Sequence, residues 1–233
     1  MSKTANNPNG QMPLQAALGG FDSMAFMVQQ ALGKMQTATL VRIESCTNDG
    51  GLSPVGHVDA TPMVNQLDGN GNPTPHVTIH NVPYLRLQGG ANGIIMDPQK
   101  GDIGVCVFAS RDISKIKATK KQGNPGSFRQ YSFSDGMYLG GMLNGTPTQY
   151  VQFSAAGIKI HSPVAVVLDA PDIQLNAATV EIIASASATI TTPTLTVNGS
   201  MTVTGDVTAQ GTSVHNHTHS GVQPGGGNSG PPT

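Results

Sequence analysis

The sequence predicts an all-β protein with one helix near its N-terminus, and three observations carry that expectation. Short runs such as "TATLVRIESC" and "GDIGVCVFASRD" are rich in β-branched residues and bounded by Gly, Asn and Pro. From residue 154 onward small apolar and polar residues alternate, the period of a strand with one covered face. Gly199, Gly205 and Gly211 then recur every six residues, which leaves room for one short strand and one turn per unit.

The elements follow in order. Residues 1–13, "MSKTANNPNGQMP", are polar and rich in Asn and Pro, and are expected to be disordered. Leu14, Leu18, Phe21, Ala25, Val28, Leu32 and Met35 then recur at spacings of 4, 3, 4, 3, 4 and 3, a helical stripe. Gly19-Gly20 interrupts it, and Asp22 or Ser23 is placed to cap a fresh start, so a helix is expected over about 23–36. It either covers the neighbouring domain or docks a partner. Residues 37–150 add "GHVDATPMV" and "HVTIHNVPYLRLQG" to the two strand runs above, with "LDGNGNPTP" (67–75) as a loop. Several short strands without intervening helical patterns argue a small barrel of OB type or a sandwich. Beyond 153 the "ASASATIT" and "DIQLNA" alternations continue as a stem.

Composition divides the chain at the same place. Residues 1–150 hold eleven Lys/Arg and nine Asp/Glu; residues 151–233 hold Lys159 against Asp169, Asp172, Glu181 and Asp206, and the last aromatic is Phe153. A stem of Ala, Val, Thr and Ser buries little apolar area in one chain and leaves its strand edges open. Winding several chains together closes those edges, so a homo-oligomer is expected through the stem; a single-chain solenoid would want more repeats.

The formal net charge of −1 gives no overall basic footprint for nucleic acid. The basic cluster "KIKATKK" (115–121) contains no aromatic, so it reads as a solvated loop rather than a single-strand platform. Cys46 and Cys106 both lie in apolar runs and read as buried free thiols on strands rather than a disulfide or redox pair. No basic-then-apolar leader and no long apolar run stands in the sequence, so synthesis and assembly in a cytoplasm are expected. His57, His76, His80 and His161 have no partner at ligand spacing, and no nucleophile, phosphate-loop or zinc-protease motif is present. The expectation is that the chain is not an enzyme.

One constellation stands apart. In "SVHNHTHSGVQPGGGNSGPPT", His215, His217 and His219 occupy alternate positions, and on a strand they would share one side. Within one chain they offer two or three nitrogens, where zinc commonly takes four ligands and no Cys, Asp or Glu lies downstream. Two such residues from each of three chains would instead give six nitrogens, which suits iron, nickel or cobalt. With six protein ligands the metal would be structural, tying chain ends together. A polar strand without metal is the plain alternative. The segment 221–233, with its Gly and Pro, permits the sharp turns of a compact cap.

"HNHTHSGVQPGGG" after "TVTGDVTAQGTS" resembles the tip of short central-spike proteins of contractile-tailed phages, of the baseplate assembly protein V type. "FASRDISKIK" (108–117) and "YSFSDGMYLGGML" (131–143) resemble the OB domain of the same spikes. The resemblance runs over roughly 37–233. After the N-terminal arm and helix read above (1–36), it implies an OB-fold barrel (37–150), an intertwined trimeric triple-stranded β-helix stem (151–211) and a metal-bound apex (212–233). It further implies one iron ion per homotrimer on the threefold axis, held by H-x-H from each chain. Here that motif matches His217 and His219, with His215 an extra member of the row. The partners implied are a tail-tube or baseplate hub protein at the OB end and the host outer membrane at the apex, with no nucleic acid. The implied role is mechanical: a virion component that caps the tail tube and leads it through the host envelope. Two other readings use the same residues, an OB-fold nucleic-acid-binding module with an oligomerising stem and an adhesive fibre tip. A metalloenzyme would need an open coordination site and a nearby base.

Overall fold

The computed structural model describes residues 19–68 and 70–218, with Gly221 and Gly225. The expected disorder of residues 1–13, the position of His219 and the fold of segment 221–233 other than those two glycines lie outside the described residues. The chain is mostly β and divides into two units, Met1–Val167 and Leu168–Thr233.

The first unit opens with helix α1, Phe21–Gly33. It starts before the expected Asp22 or Ser23 cap because Gly20, at φ 84°, turns the chain directly into the first helical turn. The Met24 N–H donates to the Gly20 carbonyl at 3.3 Å. None of its residues is buried.

Five strands form one curled sheet: β1 (Ala38–Cys46), β2 (His57–Pro62), β5 (Ile79–Pro83), β8 (Ile103–Phe108) and β9 (Gly136–Gly141), in the order β5-β2-β1-β8-β9. All neighbours are antiparallel. The two edge strands approach at a parallel bridge between Tyr84 and Tyr138, where the Leu85 N–H donates to the Tyr138 carbonyl at 2.8 Å. The result is a curled half-barrel, not two facing sheets. Strict alternation on β2 and β8 sends Val58, Ala60, Cys106 and Phe108 inward to meet Val41, Ile43, Val82 and Tyr138. At Gly104 a side chain would run into the Gly140 carbonyl and the Tyr138 ring, so only glycine lets β8 and β9 approach there. Cys46 and Cys106 are both free, and burial pushes the Cys106 thiol up to about 11.

Two expectations change. The 67–75 loop is closed at its base by β3 (Gln66–Leu67) and β4 (Pro73–Thr74), because the Asp68 carboxylate accepts the N–H groups of Asn70 and Asn72 at 2.8 Å each. The basic cluster is not a plain loop: Ser114–Thr119 forms helix α2, ended by Lys120 in the left-handed region at φ 55°. Further hairpins pair β6 (Leu87–Gly89) with β7 (Asn92–Ile94) and β10 (Tyr150–Ser154) with β11 (Gly157–His161).

In the second unit residues 168–207 form no strand within the chain. A hairpin follows, β12 (Thr208–Ala209) with β13 (Thr212–Ser213). No helix among the described residues is long and apolar enough to cross a membrane.

Candidate functional site

The histidine segment begins at the β12–β13 hairpin. Its two-residue turn is Gln210-Gly211, with φ 51° and 84°; two positive φ values match the right-handed twist of the flanking strands. The Val214 N–H donates to the Val207 carbonyl at 2.8 Å and carries the pairing one step further.

There the strand stops, so His215 and His217 do not continue it as the expected alternate positions of one extended strand, while His219 lies outside the described residues. The Asp206 carboxylate accepts the His215 N–H at 3.1 Å, and the Ser213 hydroxyl accepts the Asn216 N–H at 2.8 Å. These two side-chain acceptors compete with the ladder and bend residues 214–216 into a turn. Hydrogen bonds from the Ser213 side chain first, and from the His215 backbone next, hold the Asp206 carboxyl below its usual range. His215 therefore lies in the turn and His217 just after it, both exposed.

The His217 ring reaches back to the Val214 carbonyl, with Nδ1 at 3.0 Å from the oxygen. A carbonyl only accepts, so Nδ1 carries the proton and, in the neutral ring, Nε2 carries the lone pair. A backbone carbonyl fixing one ring nitrogen while the other is the donor is how metal-ligating histidines are commonly oriented. The His217 ring, so oriented, fits a metal bound through imidazole nitrogen. Among the described residues no group of three or more His, Cys, Asp or Glu converges within one chain.

Three histidines of the first unit have separate structural contacts. His80 Nδ1 lies 3.0 Å from Asp59 Oδ2, His76 meets Phe133 edge-on at 5.0 Å, and His161 lies 5.1 Å from the Tyr150 ring.

Two ionic clusters in the first unit were not singled out in the sequence. Arg86 and Asp97 are paired and almost wholly buried, and the Tyr84 hydroxyl donates to Asp97 Oδ1 at 2.6 Å. In the loop between β8 and β9, Arg129 grips two buried carboxylates. Its Nε donates to Asp135 Oδ2 at 2.6 Å, and its terminal nitrogen forms an ion pair with Asp112 Oδ1 at 2.9 Å. Hydrogen bonds from Ser114 and Ser127, then the Arg129 charge, hold the Asp112 carboxyl far below its usual range. The only sequence signal for this cluster was that Asp112 and Asp135 fall in the two segments resembling the spike OB domain.

Residues 211–233 match the family model described as the GpV Apex motif, a span that begins at the turn glycine of the β12–β13 hairpin and includes all three histidines. The match supports a phage baseplate spike of the gpV type, and with it a virion component. No curated protein matches the chain.

Proposed function

We propose that this chain is the central spike of a contractile-tail baseplate: a homotrimer that caps the tail tube and leads it through the host envelope, acting mechanically and not as an enzyme. The observation that carries the reading is the apex match at residues 211–233, standing directly after a stem that leaves its apolar side chains uncovered.

Every residue from 163 to 207 is exposed and unpaired in strand terms within the chain, including Val164, Leu175, Ile182 and Leu195. Full burial of one such side chain stabilises by about 1.5–3 kcal/mol, while fixing one residue's backbone costs about 1–2 kcal/mol. A lone chain in this conformation carries the second term without the first. From Leu195 the odd positions read Leu, Val, Gly, Met, Val, Gly, Val, Ala, Gly, and the even positions are all polar. One continuous apolar edge with glycine at each turn is what an intertwined triple-stranded β-helix would bury along its axis. The β10–β11 hairpin supports the same reading: Val151 pairs with Ile160 and Phe153 with Ile158, placing four exposed apolar side chains on one face.

The sheet order β5-β2-β1-β8-β9, with its edges meeting at Tyr84 and Tyr138, supports an OB-type barrel for the first unit. At the apex His217 and His219 from each of three chains would hold one iron ion through six imidazole nitrogens. His215, whose backbone N–H is held by the Asp206 carboxylate, precedes them in the row. The ion would supply a structural crosslink with no open coordination position. Assembly in the host cytoplasm and contact with a tail-tube hub and the outer membrane belong to the same proposal.

The test is mass and metal together. Light scattering of the purified protein should give three chains, and elemental analysis one iron per three chains. Substituting both His217 and His219 by Ala should remove the iron while the stem keeps the trimer. A monomeric, metal-free protein that still assembles into infectious particles would overturn the reading.

A further inference from the structure

The loop between β8 and β9, residues 109–135, holds six of the chain's twelve Lys and Arg: Arg111, Lys115, Lys117, Lys120, Lys121 and Arg129. Its two acidic residues, Asp112 and Asp135, are both buried and both engaged by Arg129. Lys117 donates to the carbonyls of Asn81 and Ser134 at 3.3 and 3.2 Å. The other four cations are exposed, and among the described residues none has a carboxylate within ion-pair distance. The loop therefore presents uncompensated positive charge on a chain whose net charge is −1.

An aromatic is set into this charge. Phe128 is fully exposed, at 103% of its reference area, whereas Tyr84, Phe108 and Tyr138 are buried in the same unit. Its exposure does not come from a loose tip. On one side the Ser127 hydroxyl donates to Asp112 Oδ2 at 2.6 Å; on the other Arg129 is locked onto Asp135 and Asp112. Gly126 lies against Ser114 and the Asp112 carboxylate, so the segment folds back onto the start of α2, the helix that carries Lys115. The side chains on both sides of Phe128 are anchored to one buried carboxylate pair, and the ring between them is exposed to water.

We propose that this loop is a docking spur: Phe128 enters an apolar socket on an acidic protein partner, and Arg111, Lys115, Lys120 and Lys121 face that partner's carboxylates. An aromatic whose neighbours are already fixed loses little freedom on docking, which is the usual character of an interface anchor. The surrounding lysines speed encounter and select an acidic surface. A single-stranded nucleic acid fits less well, because it asks for successive stacking aromatics and this loop exposes one. A second copy of the chain presenting the same loop would meet like charge. The choice of the tail-tube end of the baseplate as the partner rests on the spike reading above; the spur itself rests on the loop.

Tails assembled without this chain serve as the probe, mixed with the purified full-length protein and read by co-sedimentation. Wild type should bind, and more weakly as salt rises. Phe128→Ala should weaken binding by about tenfold or more, as truncating an interface anchor does, and Phe128→Tyr should retain most of it. Lys115→Glu with Lys120→Glu and Lys121→Glu should weaken it similarly. All variants should keep wild-type circular dichroism and oligomeric state, since the substituted side chains are exposed. If wild type fails to bind, the spike reading falls and the chosen partner with it. If wild type binds and Phe128→Ala binds equally, the spur alone is overturned. Binding of wild type to a single-stranded oligonucleotide that Phe128→Ala abolishes, with tail binding unchanged, overturns it in favour of nucleic acid.

Discussion

Asp135 is wholly buried, and what it holds explains why a carboxylate is there. Its Oδ1 accepts the Ile113 N–H at 3.0 Å and an Arg129 nitrogen at 2.9 Å, and its Oδ2 accepts Arg129 Nε at 2.6 Å. Asp135→Asn keeps the shape but replaces one accepting oxygen with an N–H that faces the guanidinium. Breaking a fully buried ion pair costs about 3–5 kcal/mol. Arg129 is 35% exposed, so water takes up part of that loss, and about 2–3 kcal/mol is the expected destabilisation. The measurement is the denaturation midpoint of the first unit followed by circular dichroism; an unchanged midpoint would show that the clamp is not a stabilising contact. The same cluster shows why single residues were poorly legible. Ile113 and Asp135 lie 22 positions apart, and nothing in "FASRDISKIK" or "YSFSDGMY" signals that folding brings them together. His217 was legible as a donor residue because imidazole at alternate positions is uncommon in a Thr/Ser stem. Its turn was not, because alternate spacing reads as strand and the bond that bends the chain comes from Asp206, nine residues earlier.

The strands of the first unit were legible where two conditions coincided, β-branched residues and one covered face. β1, β2 and β8 satisfy both. β9, "GMYLGG", has a covered face at Gly136 and Tyr138 but no β-branched residue, because its glycines serve the close approach to Gly104 rather than strand propensity. The closure between β5 and β9 depends on two tyrosines whose burial no local pattern announces. Those tyrosines give the element its pH behaviour. Burial first, and for Tyr84 the hydrogen bond to Asp97 next, pushes each phenol up to about 12. The neutral phenol is therefore favoured in the folded state. Its stabilising contribution is complete below the unfolded value near 10 and is lost as pH rises from there through about 12. The half-barrel should hold its circular dichroism to about pH 10 and lose it between there and 12, in step with a late rise in tyrosinate absorbance. Tyr138→Phe should shift the loss upward. Tyrosinate absorbance that saturates while the β signal is intact would show that the closing pair does not govern the sheet.

Across the whole chain the break at about residue 150 was legible because it is compositional: the last aromatic is Phe153, Lys159 is the one Lys or Arg beyond it, and Thr, Ser, Ala and Val take over. How many chains share the stem was not legible, since alternation shows that one face is apolar and says nothing of what covers it. That question separates two outcomes for the same pair of substitutions. Val203 and Thr202 are neighbours, both exposed in the single chain, on opposite sides of the alternation. If the stem stands alone in water, lysine at either position is a surface change worth within about 0.5 kcal/mol, and the two variants behave alike. If three chains wind together with the odd positions inward, Val203→Lys places three ammonium groups around one dry axis. Burying charge without a partner costs several kcal/mol or prevents assembly. Thr202→Lys leaves its charges outside, spaced around the stem. The expected result is that Val203→Lys abolishes the trimer or shortens its unfolding half-life at a fixed temperature by about tenfold or more. Thr202→Lys should stay within about twofold of wild type, because slow unfolding of an intertwined stem requires the buried edge to open in all three chains together. Equal effects at the two positions would mean that the odd-numbered edge is not the buried one.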